Sequence, residues 1–415
     1  MTIHTIQTDK YKTNTLVVML RAPLSEETVS KRALLAQVLQ SATAVSPSRT
    51  ELRRRLDDLY GAILYTDVQK KGEQHVLSIR LDVANERFLS EQVPLFTEAI
   101  KLVAEVLLKP YITEGSFATS IVSNEKRSLK QRIQSVYDDK MRYANVRVTE
   151  EMCKGEPYGL TAFGTEADIE AIDSGDLYEY YQEMLRTNQV DIYLVGAMDE
   201  GEVVASVKRM FDLPARMTAA ATPTKNTAPQ KIEEKTVQEE QDVKQGKLNI
   251  GYRTHTTYAD PDYVAMQVCN GLFGGYSHSK LFINVREKES LAYYAASRYE
   301  SHKGILMVVA GIEFSKYERA VTIIKEQMEA MKQGEFTEAE LEQTKAMLKN
   351  QLLETSDVAS GYVELTYHQA VSGYSRSLEE WLAEIDKVTK EEVVAAASKI
   401  ELDTIYFLKG KEEAK

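Results

Sequence analysis

Two periods of apolar residues alternate along the chain, and the switches between them mark its elements. Residues 15–20 are mostly apolar or β-branched, the signature of a buried strand. Ser25 with Glu26 and Glu27 sets a helix start, because a hydroxyl caps free amides and acidic side chains complement the helix dipole. The helix over 30–41 carries Ala33, Leu34, Leu35, Val38 and Leu39, an apolar face wide enough to be buried on most sides. Ser46, Pro47 and Ser48 turn the chain into a second helix over 49–60, which Gly61 ends. Strands over 62–68 and 76–83 flank a polar turn, 69–74, that contains Gly72. An amphipathic helix over 94–108 stops before Pro110, and Thr113 and Glu114 open another that runs with breaks to Ile133. A loop over 158–165, helices over 167–172 and 176–186, a strand over 190–195 and a helix over 201–209 complete this half.

The character changes between 214 and 245, where Ala, Thr, Pro, Lys and Glu dominate. Such a stretch cannot bury enough surface to build a core, and reads as a linker over 216–245 with room for one strand near its end. Beyond it the pattern repeats. Ala36 to Gln40 match Met266 to Asn270, Glu51 and Leu52 match Lys280 and Leu281, and Thr113 and Glu114 match Thr337 and Glu338, the offset drifting from 230 to 224. Two copies of one α+β unit are implied, strand–helix–helix–strand–strand–helix–helix–strand. They fall in a domain over 1–215 and another over 246–415, each a mostly antiparallel sheet covered by helices.

Composition narrows the functions open to the chain. A net charge of −12 over 415 residues argues against a nucleic-acid partner, whose phosphates need clustered Lys and Arg. The short basic cluster Arg53, Arg54, Arg55 sits beside Asp57 and Asp58 and reads as a solvated helix face. Two cysteines, Cys153 and Cys269, make no disulfide framework and suit a reducing compartment. No stretch approaches a membrane span, and the apolar run 16–20 is too short for a secretory signal, so a cytoplasmic address is expected.

The most informative block is Gly271, Leu272, Phe273, Gly274, Gly275, then Ser277 and His278, Leu281 and Phe282, Arg286 and Glu287, and Leu291, Ala292 and Tyr293. Glycines let the backbone take φ > 0 or approach another segment closely. This block resembles the second half of the insulinase-type, or inverted zincin, zinc peptidases, the family of pitrilysin and the mitochondrial processing peptidase. The resemblance spans nearly the whole chain and implies two homologous α/β-sandwich halves joined into a clamshell. It also implies that Arg286 and Tyr293 hold a substrate carbonyl beside a metal, with Gly274, Gly275 and His278 as a peptide-contact loop. On residue chemistry alone, Arg286 reads instead as a solvated helix residue and Tyr293 as a core aromatic at a strand start.

Active members of that family carry H-x-x-E-H on the first helix, two imidazoles on one helical face gripping zinc while the Glu activates water. The corresponding positions here are Ala33, Ala36 and Gln37, and the third-ligand position falls at Glu125. Methyl groups and an amide hold no zinc. The six His are scattered and form no such motif. The resemblance therefore implies a chain that binds no zinc itself. It would act as the non-catalytic subunit of a bacterial two-chain peptidase, with zinc on a homologous partner subunit and an extended peptide as substrate, held by strand addition. A scaffold protein with no part in cleavage is the competing reading.

Overall fold

The structure, a computed structural model, describes residues 1–90, 93–215 and 232–411, which divide into two units. Unit 1 comprises residues 1–134, 160–224 and 356–367; unit 2 comprises 135–159, 225–355 and 368–415.

In unit 1 the apolar run expected near the start becomes a strand buried along most of its length, because it has neighbours on both sides. The strands are β1 (Thr2–Gln7), β2 (Thr13–Pro23), β3 (Ile63–Lys71), β4 (Gln74–Ala84), the short hairpin β5 (Ile112–Thr113) and β6 (Ser116–Phe117), and β7 (Gln189–Gly196). The five long ones form a sheet in the order β1-β7-β2-β4-β3. Only the β1–β7 pair is parallel. Leu16, Val18 and Leu20 of β2 share a core with Leu34 and Leu35 of helix α1 (Glu26–Leu39) and with Leu102, Val103 and Val106 of a later helix. Each such side chain contributes about 1.5–3 kcal/mol by leaving water. Ser25 caps α1 and Ser48 caps α2 (Arg49–Asp58), each hydroxyl accepting a backbone N–H.

Two expectations are corrected here. The turn expected over 69–74 shrinks to Gly72 and Glu73, since the pairing runs on through Lys71 and Gln74. Gly72 has φ +53°, which a two-residue hairpin turn of this kind requires. Thr113 does not open a helix: Glu114 and Gly115 both take positive φ and fold 112–117 into a hairpin, and the helix starts only at Thr119.

Unit 2 contains β8 (Lys235–Gln241), β9 (Gly246–Arg253), β10 (Ala292–Glu300), β11 (Ile305–Ile312) and β12 (Glu401–Gly410). Their order is β10-β11-β9-β12-β8, with β8 and β12 parallel. Strand for strand this is the order of unit 1: β8 stands where β1 does, β12 where β7 does, β9 for β2, β11 for β4 and β10 for β3. The duplication read from the drifting offset is thus also a duplication of topology.

The chain stretches do not follow the boundaries 1–215 and 246–415. The helix Lys140–Met152 belongs to unit 2, where its Ala144 and Val148 pack on Tyr406 and Leu408 and its Asn145 Oδ1 accepts from Asn249 Nδ2 at 2.5 Å. Of the stretch 216–245 expected as linker, 216–231 lie outside the described residues and 235–241 are β8. Both cysteines are buried and stand outside any disulfide among the described residues, and burial pushes the Cys269 thiol up to about 12. Among the described residues no helix is long and apolar enough to cross a membrane.

Candidate functional site

In unit 1 the metal-site positions lie on and behind α1. Ala33 and Ala36 are fully buried in the core, and Gln37 is partly exposed. Glu125, on the helix Thr119–Asp138, is only 3% exposed. Its two carboxylate oxygens accept from Arg49 Nη2 at 2.7 and 2.8 Å, and Oε1 also accepts from the Ser41 hydroxyl at 2.8 Å. Arg49 Nε donates in turn to Ser41 Oγ at 3.2 Å. A charge-assisted guanidinium pair therefore satisfies the carboxylate that the family resemblance assigns to a metal. Two methyl groups, an amide and a carboxylate already committed to Arg49 do not fit a zinc ion. Among the described residues no group of three or more His, Cys, Asp or Glu side chains is gathered where it could hold a metal.

This pairing carries a prediction. Arg49→Ala leaves the buried Glu125 with the Ser41 hydroxyl as its remaining strong donor, and should cost unit 1 about 2–3 kcal/mol in chemical denaturation. Adding Glu125→Gln to that variant removes the stranded charge, and should recover part of the loss.

In unit 2 the glycine-rich block is helical rather than a turn. The helix Tyr263–Asn270 continues into a π-helical segment, Gly271–Gly275, and a second π-helical segment, Leu281–Lys288, follows. Neither Gly274 nor Gly275 has positive φ. Gly274 is buried because a Cβ there would lie 2.6 Å from both the amide nitrogen and the hydroxyl of Ser297 on β10, so its role is close packing of helix on strand. That removes Gly274 from a peptide-contact loop. Gly275 is exposed. His278 Nε2 sits 2.8 Å from Thr344 Oγ1 and its ring stacks on Tyr276; burial lowers its pKa against the opposing pull of Glu340.

Arg286 and Tyr293 occupy the two sides of a short connection that is tied down by a Leu291 N–H to Val285 O bond of 3.0 Å. Arg286 is exposed, its guanidinium 4.6 Å from the centre of the Phe282 ring. That ring orients the guanidinium by cation–π attraction and leaves its five N–H donors to solvent. Tyr293 falls at an irregularity of β10, where Ala292 pairs with Ile312 and Tyr294 already pairs with Gly311. The bulge re-aims the side chain, which is 65% exposed and is no core aromatic. Among the described residues neither side chain has a hydrogen-bond or ion-pair partner.

The His residues are not all isolated. His302 Nε2 and His368 Nδ1 are 2.7 Å apart, and both rings stack on Tyr258. Sixty-six positions separate the two in sequence, and no motif spacing signals the pair.

Residues 171–348 match the family model described as the peptidase M16 inactive domain. Over 414 residues the chain is 50% identical to a probable inactive metalloprotease, YmfF, of Bacillus subtilis strain 168, with 100% of this chain and 97% of that protein covered. It is 26% identical over 306 residues to an uncharacterized zinc protease of Mycobacterium leprae, covering 73% of this chain and 67% of that one. A crystal structure of a conserved protein from Enterococcus faecalis V583 superposes with a TM-score of 0.90 at 36% identity, covering 100% of this chain and 97% of that chain. With two sheets of one topology and relatives that align end to end, the chain belongs to the M16 peptidase family, as a homologue of a probable inactive metalloprotease.

Proposed function

We propose that this chain is the non-catalytic, substrate-holding subunit of a two-chain zinc peptidase, acting on an extended peptide held at the zinc of a homologous partner in the cytoplasm. One observation carries the reading: Arg286 and Tyr293 stand exposed with no polar partner among the described residues, while the positions that the family resemblance sets at the H-x-x-E-H motif carry Ala33, Ala36 and Gln37. In this role Arg286 donates to a carbonyl of the peptide and the Tyr293 hydroxyl donates to the oxyanion that develops on the partner's zinc. The peptide lies along a sheet edge by strand addition, on β10, the unit 2 counterpart of β3.

The test mixes the chain with a zinc-binding M16 homologue from the same genome and follows cleavage of a fluorogenic peptide. Tyr293→Phe should lower kcat on the order of a hundredfold, as expected for removal of one oxyanion donor. Arg286→Ala should raise KM as well as lower kcat. Cleavage that rises on mixing and is untouched by both substitutions would leave only a scaffold role.

A further inference from the structure

Strand β3 is an edge of the unit 1 sheet, and an edge strand offers its outward N–H and C=O groups to any extended chain that comes alongside. On β3 two of those groups are already taken. Gln40, at the end of α1, donates from Nε2 to Leu64 O at 3.1 Å and accepts at Oε1 from the Thr66 N–H at 3.3 Å. A C=O and an N–H flanking one residue, here Tyr65, are the pair by which a neighbouring strand is held. A primary amide carries one acceptor and its donors side by side, so the Gln40 side chain copies the peptide group of such a strand. Its orientation is dictated by the strand: turned over, it would set oxygen against oxygen and N–H against N–H. The Thr66 hydroxyl lies 2.7 Å from Ala36 O and 2.8 Å from Gln40 Oε1, which fastens the same point of the strand to the helix.

Unit 2 supplies an internal comparison. Topology equates β10 with β3, and the sequence offset equates Asn270 with Gln40. The Asn270 Oδ1 accepts from the Ser297 hydroxyl at 2.7 Å, as Gln40 is met by the hydroxyl of Thr66. Asn270 is one methylene shorter, and among the described residues its side chain makes no bond to the backbone of β10.

We propose that Gln40 is a built-in plug of the β3 edge, excluding an extended polypeptide from unit 1 at Leu64 and Thr66 for as long as its amide stays in place. The inference concerns β3 alone and does not depend on the roles given to Arg286 and Tyr293. It makes Gln40 the residue that decides whether this edge accepts a strand.

Two measurements on the full chain test it. The first is amide hydrogen exchange at Thr66, compared with Val68, the next outward amide of the same strand. The Thr66 amide should exchange about five- to tenfold more slowly than that of Val68, and Gln40→Ala should abolish the difference. The second uses an eight-residue Thr/Val peptide carrying a photoreactive benzophenone. It should label residues 62–68 in Gln40→Ala and in the milder Gln40→Asn, and leave them unlabelled in the wild type. Equal exchange at Thr66 and Val68 in the wild type would overturn the plug, and needs no variant to fold. So would a folded variant with a freed Thr66 amide that the peptide fails to label, or a wild type that is labelled there as strongly as the variants.

Discussion

Replacing Glu156 by alanine should lower the unfolding free energy of unit 2 by about 3–5 kcal/mol, the range expected when one partner of a buried ion pair is removed. Glu156 accepts from Arg253 Nη1 at 3.0 Å, from Arg253 Nη2 at 2.6 Å and from Lys303 Nζ at 2.6 Å. The Lys303 side chain is fully buried and that of Arg253 nearly so. Arg253 is also held by Asp403 Oδ2 at 2.9 Å and by Met152 O at 2.8 Å, so it cannot swing out to water when Glu156 goes. Burial alone would raise the Glu156 carboxyl; the bonds from Arg253 and Lys303 outweigh it and hold the pKa below the usual value. The pair's contribution is therefore complete above the ordinary glutamate range and is lost as pH falls through the lowered folded value. Trp381 is the single tryptophan of the chain and is buried in unit 2, so its fluorescence in a urea titration reports this unit alone. A loss under 1 kcal/mol would mean that the two cations find other partners. Adding Lys303→Met to Glu156→Ala should cost less than the sum of the single changes, because the two share one interaction.

The second large effect is an acid sensitivity built into unit 1. His75, on β4, is buried, and among the described residues neither ring nitrogen has a well-formed hydrogen bond. Burial first, then the charge of Arg32, pulls its pKa down to about 3; the Ala162 backbone opposes this, and Lys70 adds to it. The unfolded chain binds a proton at this ring near pH 6.5, while the folded chain stays neutral until about pH 3. Unfolding is thus favoured progressively as pH falls from 6.5 to 3, by about 1.4 kcal/mol per unit of pH. At pH 5 this amounts to about 2 kcal/mol. His75→Gln should be less stable than the parent at pH 8 and should flatten the slope of stability between pH 6.5 and 4. An unchanged slope would assign the acid sensitivity to other groups.

The parts of the fold legible in the sequence are those where hydrophobic burial decides the structure. β2, β4, β7 and α1 bury most of their side chains, so their periodicity and the internal repeat could be read directly. The strands β1 and β8, TIHTIQ and KTVQEEQ, sit at sheet edges and are held by backbone pairing to one neighbour, so their polar side chains face water and leave little pattern. The helix Lys140–Met152 escaped notice for a related reason: its buried residues, Ala144, Val148 and Met152, are few and widely spaced. At the candidate site Ala33, Ala36 and Gln37 stand where the family resemblance sets the zinc motif. The partners of Glu125 were not legible, because Arg49 and Ser41 reach it across 76 and 84 positions. Gln40 offered no signal either, since an amide at a helix end is common and its meaning here depends on which strand it meets.

The placement of β12 has a consequence for how the molecule is made. This strand, the last described element of the chain, lies between β9 and β8 in its sheet, and among the described residues β8 has no other strand beside it. During synthesis β8 therefore leaves the ribosome more than 150 residues before β12, the strand it pairs with. For that interval β8 lacks its partner and β9 has one open flank, an exposed strand edge that closes only once residues 401–410 have been made.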